Sequence, residues 1–467
     1  DNFSATSRQI HHQTARDFFL NIYKKGHLKK KTINQLFCPN DNKFLPDRYV
    51  EGICPKCNAA EARGDQCESC GSQLDPVELL DPRCKICNAV PVLKETFHWF
   101  LKLGEFQQRL IDWHAKNTGW KENVINYCKG WFNEGLTDRA ITRDMDWGIA
   151  VPLEEAKNKV LYVWFDAPIG YISSTIEWAQ NQGKPDLWKN YWQNPECTLI
   201  HFIGKDNIVF HAIVWPAVLM AQGGYILPRH IPANEFLNIE GSKASTSRNR
   251  AIWVHEYLEN FPSDSLRYYI ASIAPETKDS DFNWKEFAQK HNSELADIYG
   301  NFINRTFLFI KKYFNGTVPD LKEPSDADLN IFQFLISSVN KIGEYLDGFH
   351  LRSAVKNLMD IAREGNKYFN DKSPWKTRKS DIRDCSNSLH VSLQIIKCLA
   401  IVSLPFIPKT AKKIWYALNQ ENEISTQDWR LSPVPNLQPG HPLREIDILF
   451  KKIEEIEINR ELTKLGR

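Results

Sequence analysis

Seven of the chain's eleven cysteines fall between residues 38 and 87, and their spacing is that of metal ligands. Cys54-x2-Cys57 and Cys67-x2-Cys70 form two C-x-x-C turns. Each such turn offers two thiolates to one ion, and four thiolates complete the tetrahedron that Zn2+ prefers. Cys38, Asp41, Cys84 and Cys87 repeat the pattern around this set, with one carboxylate in place of a thiolate. They form a second candidate zinc site with a weaker donor set, because a carboxylate is a less usual structural ligand. Disulfides are the competing use, but paired C-x-x-C turns in a chain with no secretory signal favour metal. A closed four-thiolate site is structural, so the chemistry of the protein must reside elsewhere.

Three other stretches hold side chains able to bind or react. Residues 162–171 read Tyr-Val-Trp-Phe-Asp-Ala-Pro-Ile-Gly-Tyr, and residues 202–215 carry Gly204-Lys205-Asp206, then Asn207, His211 and Trp215. Residues 241–248 form a polar loop, Gly-Ser-Lys-Ala-Ser-Thr-Ser-Arg. The elements around them must place them together. Residues 160–165 and 198–203 are continuous apolar runs that predict strands buried on both faces. An apolar helix follows from 207 to about 221, and a third strand is predicted at 231–239. This alternation predicts a parallel sheet with right-handed crossovers, whose ligands bind beyond the C-terminal strand ends. Upstream, residues 15–25 and 105–135 carry helical periodicity. After residue 281 the strand signals stop. Helices are predicted from about 295 to 310 and at 327–348, 350–370, 380–402 and 407–418, with a last charged helix after a Pro-rich segment.

With 467 residues and 42% hydrophobic content, the chain can build roughly three packed domains. A formal charge of +2 excludes a global basic field, so any nucleic-acid surface must be local. No apolar run is expected to reach the ~18–20 residues that span a bilayer. Cys128, Cys197, Cys385 and Cys398 are isolated and read as reduced thiols of a cytoplasmic protein.

Taken in order, the three segments and the zinc insert closely resemble the methionyl-tRNA synthetases of class I, over the whole chain. That resemblance implies ATP-dependent activation of methionine to the adenylate and transfer to tRNA(Met), with ATP entering as its Mg2+ complex. It implies a Rossmann-like parallel sheet with a zinc-knuckle insert, followed by an all-α anticodon domain. The implied boundaries are 1–30 for the end of the first catalytic half and 31–140 for the insert. The second catalytic half follows at 141–240, a loop region at 241–290 and the helical domain at 291–467. By position, Trp164, Ala167, Pro168, Tyr171, Asn207, His211 and Trp215 correspond to the methionine pocket, whose aromatic walls suit a polarizable thioether. Asp206 corresponds to the residue accepting from the ATP ribose, with Gly204 allowing close approach. Lys243, Ser245, Thr246, Ser247 and Arg248 resemble the K-M-S-K-S loop, which offsets charge as pyrophosphate leaves. Here Thr246 stands where the second lysine belongs and Ala244 where the methionine belongs, with Arg248 and Arg250 close enough to help. Asn301, Arg305, Pro374 and Trp375 correspond to the anticodon readers, two hydrogen-bonding side chains on one helix face and a stacking indole.

The family's other signature, H-I-G-H, is absent from residues 1–467, and His11-His12-Gln13 does not replace it. The chain is therefore expected to begin after that motif and to be incomplete for catalysis by itself. The alternative function is a synthetase-derived tRNA-binding module. Leucine, isoleucine and valine enzymes carry a larger editing insert, and cysteine enzymes place zinc in the amino-acid pocket, so these fit less well. No appended C-terminal tRNA-binding domain is visible, so a monomer is expected.

Overall fold

In the computed structural model, residues 1, 47–48, 65–66, 68–69, 71–73, 246–248 and 466–467 lie outside the described set, and all others are described. The chain divides into two units, Asp1–Ala233 and Asn234–Arg467.

The first unit begins with the predicted helix, Gln9–Lys24, which buries Ala15, Phe18, Phe19 and Ile22 at helical spacing. Leu28–Cys38 then pairs antiparallel with Val92–Leu101, from Leu28 opposite Leu101 to Phe37 opposite Val92. The cysteine-rich residues lie between these two long strands, so the ribbon carries the metal module at its far end. Within the module, short strands Val50–Ile53, Ala62–Arg63 and Leu80–Cys84 form a three-stranded sheet. Helices Gln107–Ala115 and Glu122–Glu134 occupy the region read as helical.

The predicted parallel sheet requires correction. The run at 160–165 is a strand only over Lys159–Leu161, and it pairs antiparallel with Thr142–Asp144. Val163–Asp166 is already helical, and Pro168 leads into the helix Ile169–Asn181. A short apolar run does not distinguish a buried strand from a buried helix turn, and here the Pro168 ring and the Ile169–Asn181 helix decide the matter. The run at 198–203 is extended, but its parallel pairing is limited. Ile200 bridges His230, and the amides of His201 and Ile203 donate to the carbonyls of His230 and Pro232 at 3.0 and 3.3 Å. The helix after it is present, as Phe210–Val214 with wider π pitch and then Trp215–Gln222.

In the second unit, Leu237–Ile239 pairs parallel with Ser280–Phe282 and antiparallel with Ser242–Lys243. Glu240 and Gly241 make the two-residue turn with φ of +47° and +71°, the left-handed values such hairpins need. The helical half matches its prediction closely: Asn301–Tyr313, Asp326–Asp347, Leu351–Lys372, Ile382–Ser403 and Pro408–Ala417. Their ends carry local signals. Ser325 and Asp328 form a capping box, and Pro374 and Pro408 open their helices. Gly365 lets two helices touch, because a Cβ there would sit 2.7 Å from the Phe302 ring. Ile382–Ser403 is, against expectation, long and apolar enough to cross a bilayer. Its apolar window is 94% buried inside the protein, so it is the central helix of the bundle.

Candidate functional site

The metal module shows how local sequence builds a ligand set. Cys54-Pro-Lys-Cys57, Cys84-Lys-Ile-Cys87 and Cys38-Pro-Asn-Asp41 are each followed by an asparagine, and Asn58, Asn88 and Asn42 all take positive φ. Asparagine tolerates that conformation, which folds the second ligand back beside the first. The amides of Lys56, Ile86 and Asp41 point at the sulfurs of Cys54, Cys84 and Cys38, each at 3.4 Å, and favour their thiolate forms. Asp41 thus occupies the second cysteine position of a third knuckle. The donor atoms of Cys54, Cys57, Cys67 and Cys70 lie within 4.8 Å of one another, as do those of Cys38, Asp41, Cys84 and Cys87. The Cys54–Cys70 and Cys57–Cys67 sulfurs are 3.9 and 3.6 Å apart. A tetrahedron with Zn–S bonds of ~2.3 Å has edges of ~3.8 Å, whereas a disulfide is ~2.05 Å. Zn2+ fits both donor sets, and both pairs of turns are brought together as the spacing predicts.

At the expected amino-acid pocket, Trp164 stacks on Phe210 with ring centroids 4.1 Å apart. Ala167 bonds back to Val163, and Pro168 sets the start of the helix carrying Tyr171. The Tyr171 hydroxyl lies 2.9 Å from His211 Nε2, and His211 Nδ1 lies 3.1 Å from the carbonyl oxygen of Asn207. A carbonyl only accepts, so His211 carries its proton on Nδ1, and Tyr171 donates to Nε2. Burial holds the His211 imidazole below its usual range and the Tyr171 phenol above its own, so both are neutral near pH 7. Trp215 is 1% exposed and packs against Trp192 and Phe18. A cavity of about 540 Å³ opens beside this turn, lined in part by His12, Arg143, Tyr162, Trp164 and Asp166.

Gly204 and Asp206 lie in the turn after the short strand. Asp206 is exposed, and its carboxylate oxygen would be 2.7 Å from any Cβ at 204, so glycine is required there. In the second unit, Lys243 is exposed at the end of its hairpin strand. The loop beyond is closed at its base by paired backbone bonds between Ser245 and Arg250, 2.8 Å each. Arg250 also bonds the Ser242 hydroxyl. Thr246, Ser247 and Arg248 lie outside the described residues.

Farther along, Arg305 lies one turn after Asn301 on Asn301–Tyr313. Its guanidinium sits 4.8 Å from the Phe369 ring and 5.8 Å from Trp375, and bonds Asn370 Oδ1 at 3.1 Å. Trp375 is 42% exposed, and Pro374 beneath it is buried. Ser373 before them has φ of +43°. The preceding helix end is anchored through Lys372, which pairs with Asp384 and with Asp328 at 3.2 Å, while Tyr368 donates to Asp328 at 2.5 Å.

Three groups escaped the sequence reading. His98, Thr96 and Lys159 surround Asp144, with Lys159 at 2.5 Å, His98 at 3.2 Å and Thr96 at 2.7 Å. Burial alone would raise the Asp144 pKa, but these hydrogen bonds bring it down to about 2. His11 lies 3.0 Å from Ser173 Oγ and 3.4 Å from buried Asp166. His201 sits in ring contact with Tyr171 and His211, at 5.1 and 5.2 Å. A lone histidine within an apolar run carries no signal of such a role; only the fold brings these rings together.

Residues 1–307 match the family described as tRNA synthetases class I (M), and residues 318–465 match the anticodon binding domain of methionyl tRNA ligase. The chain is 46% identical to the methionine–tRNA ligase of Salinibacter ruber, over all of this chain and 69% of that one. It is 47% identical to that of Pyrococcus furiosus, over 98% of this chain and 64% of that one. The methionyl-tRNA synthetase of Mycobacterium tuberculosis, solved in complex with methionyl-adenylate, superposes with a TM-score of 0.78 at 24% identity. The match covers 96% of this chain and 82% of that one. At that identity the likeness is one of fold. Matches through the whole of this chain give no support to the expectation that it is catalytically incomplete.

Proposed function

Because the chain belongs to the class I methionyl-tRNA synthetases, we propose that the Trp164 turn and the His211 helix form its methionine side-chain pocket. The chain is a methionine–tRNA ligase. Its substrates are methionine, ATP and tRNA(Met). The carboxylate of methionine attacks the α-phosphorus of ATP, pyrophosphate leaves, and the adenylate then passes its acyl group to the terminal ribose of the tRNA.

Within that reaction, Trp164, Ala167, Pro168 and Trp215 supply apolar walls for a thioether. Tyr171, His211 and Asn207 form a neutral polar edge with a fixed tautomer. Asp206 accepts from the ribose of ATP, and Gly204 leaves room for it. Lys243, with Ser245, Thr246, Ser247 and Arg248, forms the triphosphate loop, whose cations offset the charge gathered on departing pyrophosphate. Asn301, Arg305, Pro374 and Trp375 read unstacked anticodon bases, by hydrogen bonds and by the exposed indole face. Zinc at the two knuckle sites holds the insert's shape and takes no part in the chemistry.

The observation that carries the pocket assignment is the Tyr171–His211–Asn207 chain beside the Trp164–Phe210 stack. The test is methionine-dependent exchange of pyrophosphate into ATP by the full-length protein. Trp164→Ala should raise the KM for methionine at least tenfold and leave the KM for ATP near its original value. An unchanged methionine KM would overturn the assignment.

A further inference from the structure

A pocket that reads a thioether needs a hydrogen-bond donor, since sulfur can only accept. The two donors expected there are already committed. The Tyr171 hydroxyl proton goes to His211 Nε2, and the His211 Nδ1 proton goes to the Asn207 carbonyl. Exchanging the His211 tautomer to release Tyr171 would set a bare nitrogen lone pair against that carbonyl, 3.1 Å away. Neither side chain therefore has a proton to offer the substrate.

His201 stands against both rings, on the extended segment leading to Gly204. It is only 6% exposed, and its Nε2 is fully buried with no hydrogen-bond partner among the described residues. Leaving a buried polar nitrogen unpaired is costly, and such groups are kept where something else completes them. Burial, reinforced by His211, pushes the His201 pKa down to about 3, so the ring is neutral at any working pH and bears a single N–H.

We propose that His201 is the specificity residue of the side-chain subsite, its buried Nε2–H donating to the methionine sulfur while Tyr171 and His211 hold its ring in place. The inference rests on the pocket assignment above and extends it to a residue outside the family's motif positions. It explains how the site tells methionine from norleucine, which has the same shape with a methylene in place of sulfur. Norleucine would leave the Nε2–H unpaired, whereas aromatic walls alone would accept both.

The experiment compares kcat/KM for methionine and for norleucine in pyrophosphate exchange, using the full-length protein. His201→Phe keeps an aromatic ring and removes the donor. It should cut the methionine-to-norleucine ratio by about three- to tenfold, the size of one neutral hydrogen bond. His201→Gln restores an N–H donor near the same place and should recover most of the ratio. A purely structural role would lower both substrates together and leave the ratio alone. An unchanged ratio in His201→Phe overturns the proposal. Trp164→Ala separates the two levels: if it leaves the methionine KM unaltered, the pocket itself is misplaced. If it raises that KM while His201→Phe keeps the ratio, only the His201 inference falls. Should the His201 variants fail to fold, imidazole 15N shifts in the wild-type protein decide. The His201 Nε2 signal should move with methionine and stay with norleucine, and a signal that ignores methionine refutes the assignment.

Discussion

Removing the Trp375 indole should weaken binding of tRNA(Met) without unfolding the helical domain. Trp375 is 42% exposed, and its neighbour Phe369 is 3% exposed, so truncation strips a platform and leaves the core beneath it closed. Loss of one base stack is worth ~1–3 kcal/mol, which raises Kd roughly 5- to 150-fold. Arg305→Ala should cost about 1.5–3 kcal/mol, the range for a hydrogen bond from a charged donor. The two losses are not independent. The Arg305 guanidinium lies 5.8 Å from the Trp375 ring and 4.8 Å from Phe369, so the indole helps to hold it. A partly exposed cation–π contact is worth about 0.5–1 kcal/mol, and the double variant should fall short of additivity by that amount. The assay is equilibrium binding of tRNA carrying CAU and of the same tRNA with an altered anticodon, for all four proteins of the cycle. The single variants should lose affinity for the first and little for the second. Wild-type affinity in both variants would refute the assignment, and equal loss on both tRNAs would show a backbone contact instead of base reading.

Mild chelation should remove one of two zinc ions, leaving that held by Cys54, Cys57, Cys67 and Cys70; Asp41→Cys should make the second equally resistant, by metal analysis. Trp164→Ala should weaken methionine selection far more than Tyr171→Phe, because the wall carries the apolar contact and the hydroxyl proton is committed to His211; equal losses would contradict that ranking. The Asp144 pKa falls from 3.8 to about 2 on folding, so ionisation of Asp144 contributes about 2 kcal/mol that is present above pH ~4 and lost as pH drops toward 2. Wild type should therefore lose its lead in thermal stability over Asp144→Asn across that window, and a constant gap would count against it.

What could be read from the chain differs by range of interaction. The knuckles and the helical half were legible because their signals are local. C-x-x-C fixes two ligands within one turn, and Ser325, Pro374 and Pro408 mark helix starts where the structure has them. The catalytic strands were misread because apolar runs at 160–165 and 198–203 report burial and leave secondary structure open. The long ribbon of Leu28–Cys38 and Val92–Leu101 escaped notice because its partners are more than fifty residues apart and its Lys-rich face breaks the usual strand composition. His201, His98 and His11 were invisible as a group of functional candidates, since each acquires partners only through distant segments.

Two of the candidate binding surfaces share one backbone device. His211 lies within Phe210–Val214, and Asn301 follows directly on His291–Gly300; both stretches have the wider π pitch. Each residue of an α-helix turns the chain by about 100°, so a widened turn that takes up one extra residue rotates everything after it by that angle. At the first stretch the turn brings His211 Nδ1 to the Asn207 carbonyl and leaves Nε2 facing Tyr171. At the second, it sets the face on which Asn301 and Arg305 emerge, with Arg305 between Phe369 and Trp375. An unbroken α-helix through 291–313 would bury Leu295 and Ile303 on a different face from the one that packs Phe302 against Gly365. The π pitch reconciles two demands on one helix, a continuous core seam and a polar pair pointed outward, which explains why irregular helix sits next to the residues assigned to substrate recognition and not at the helix ends.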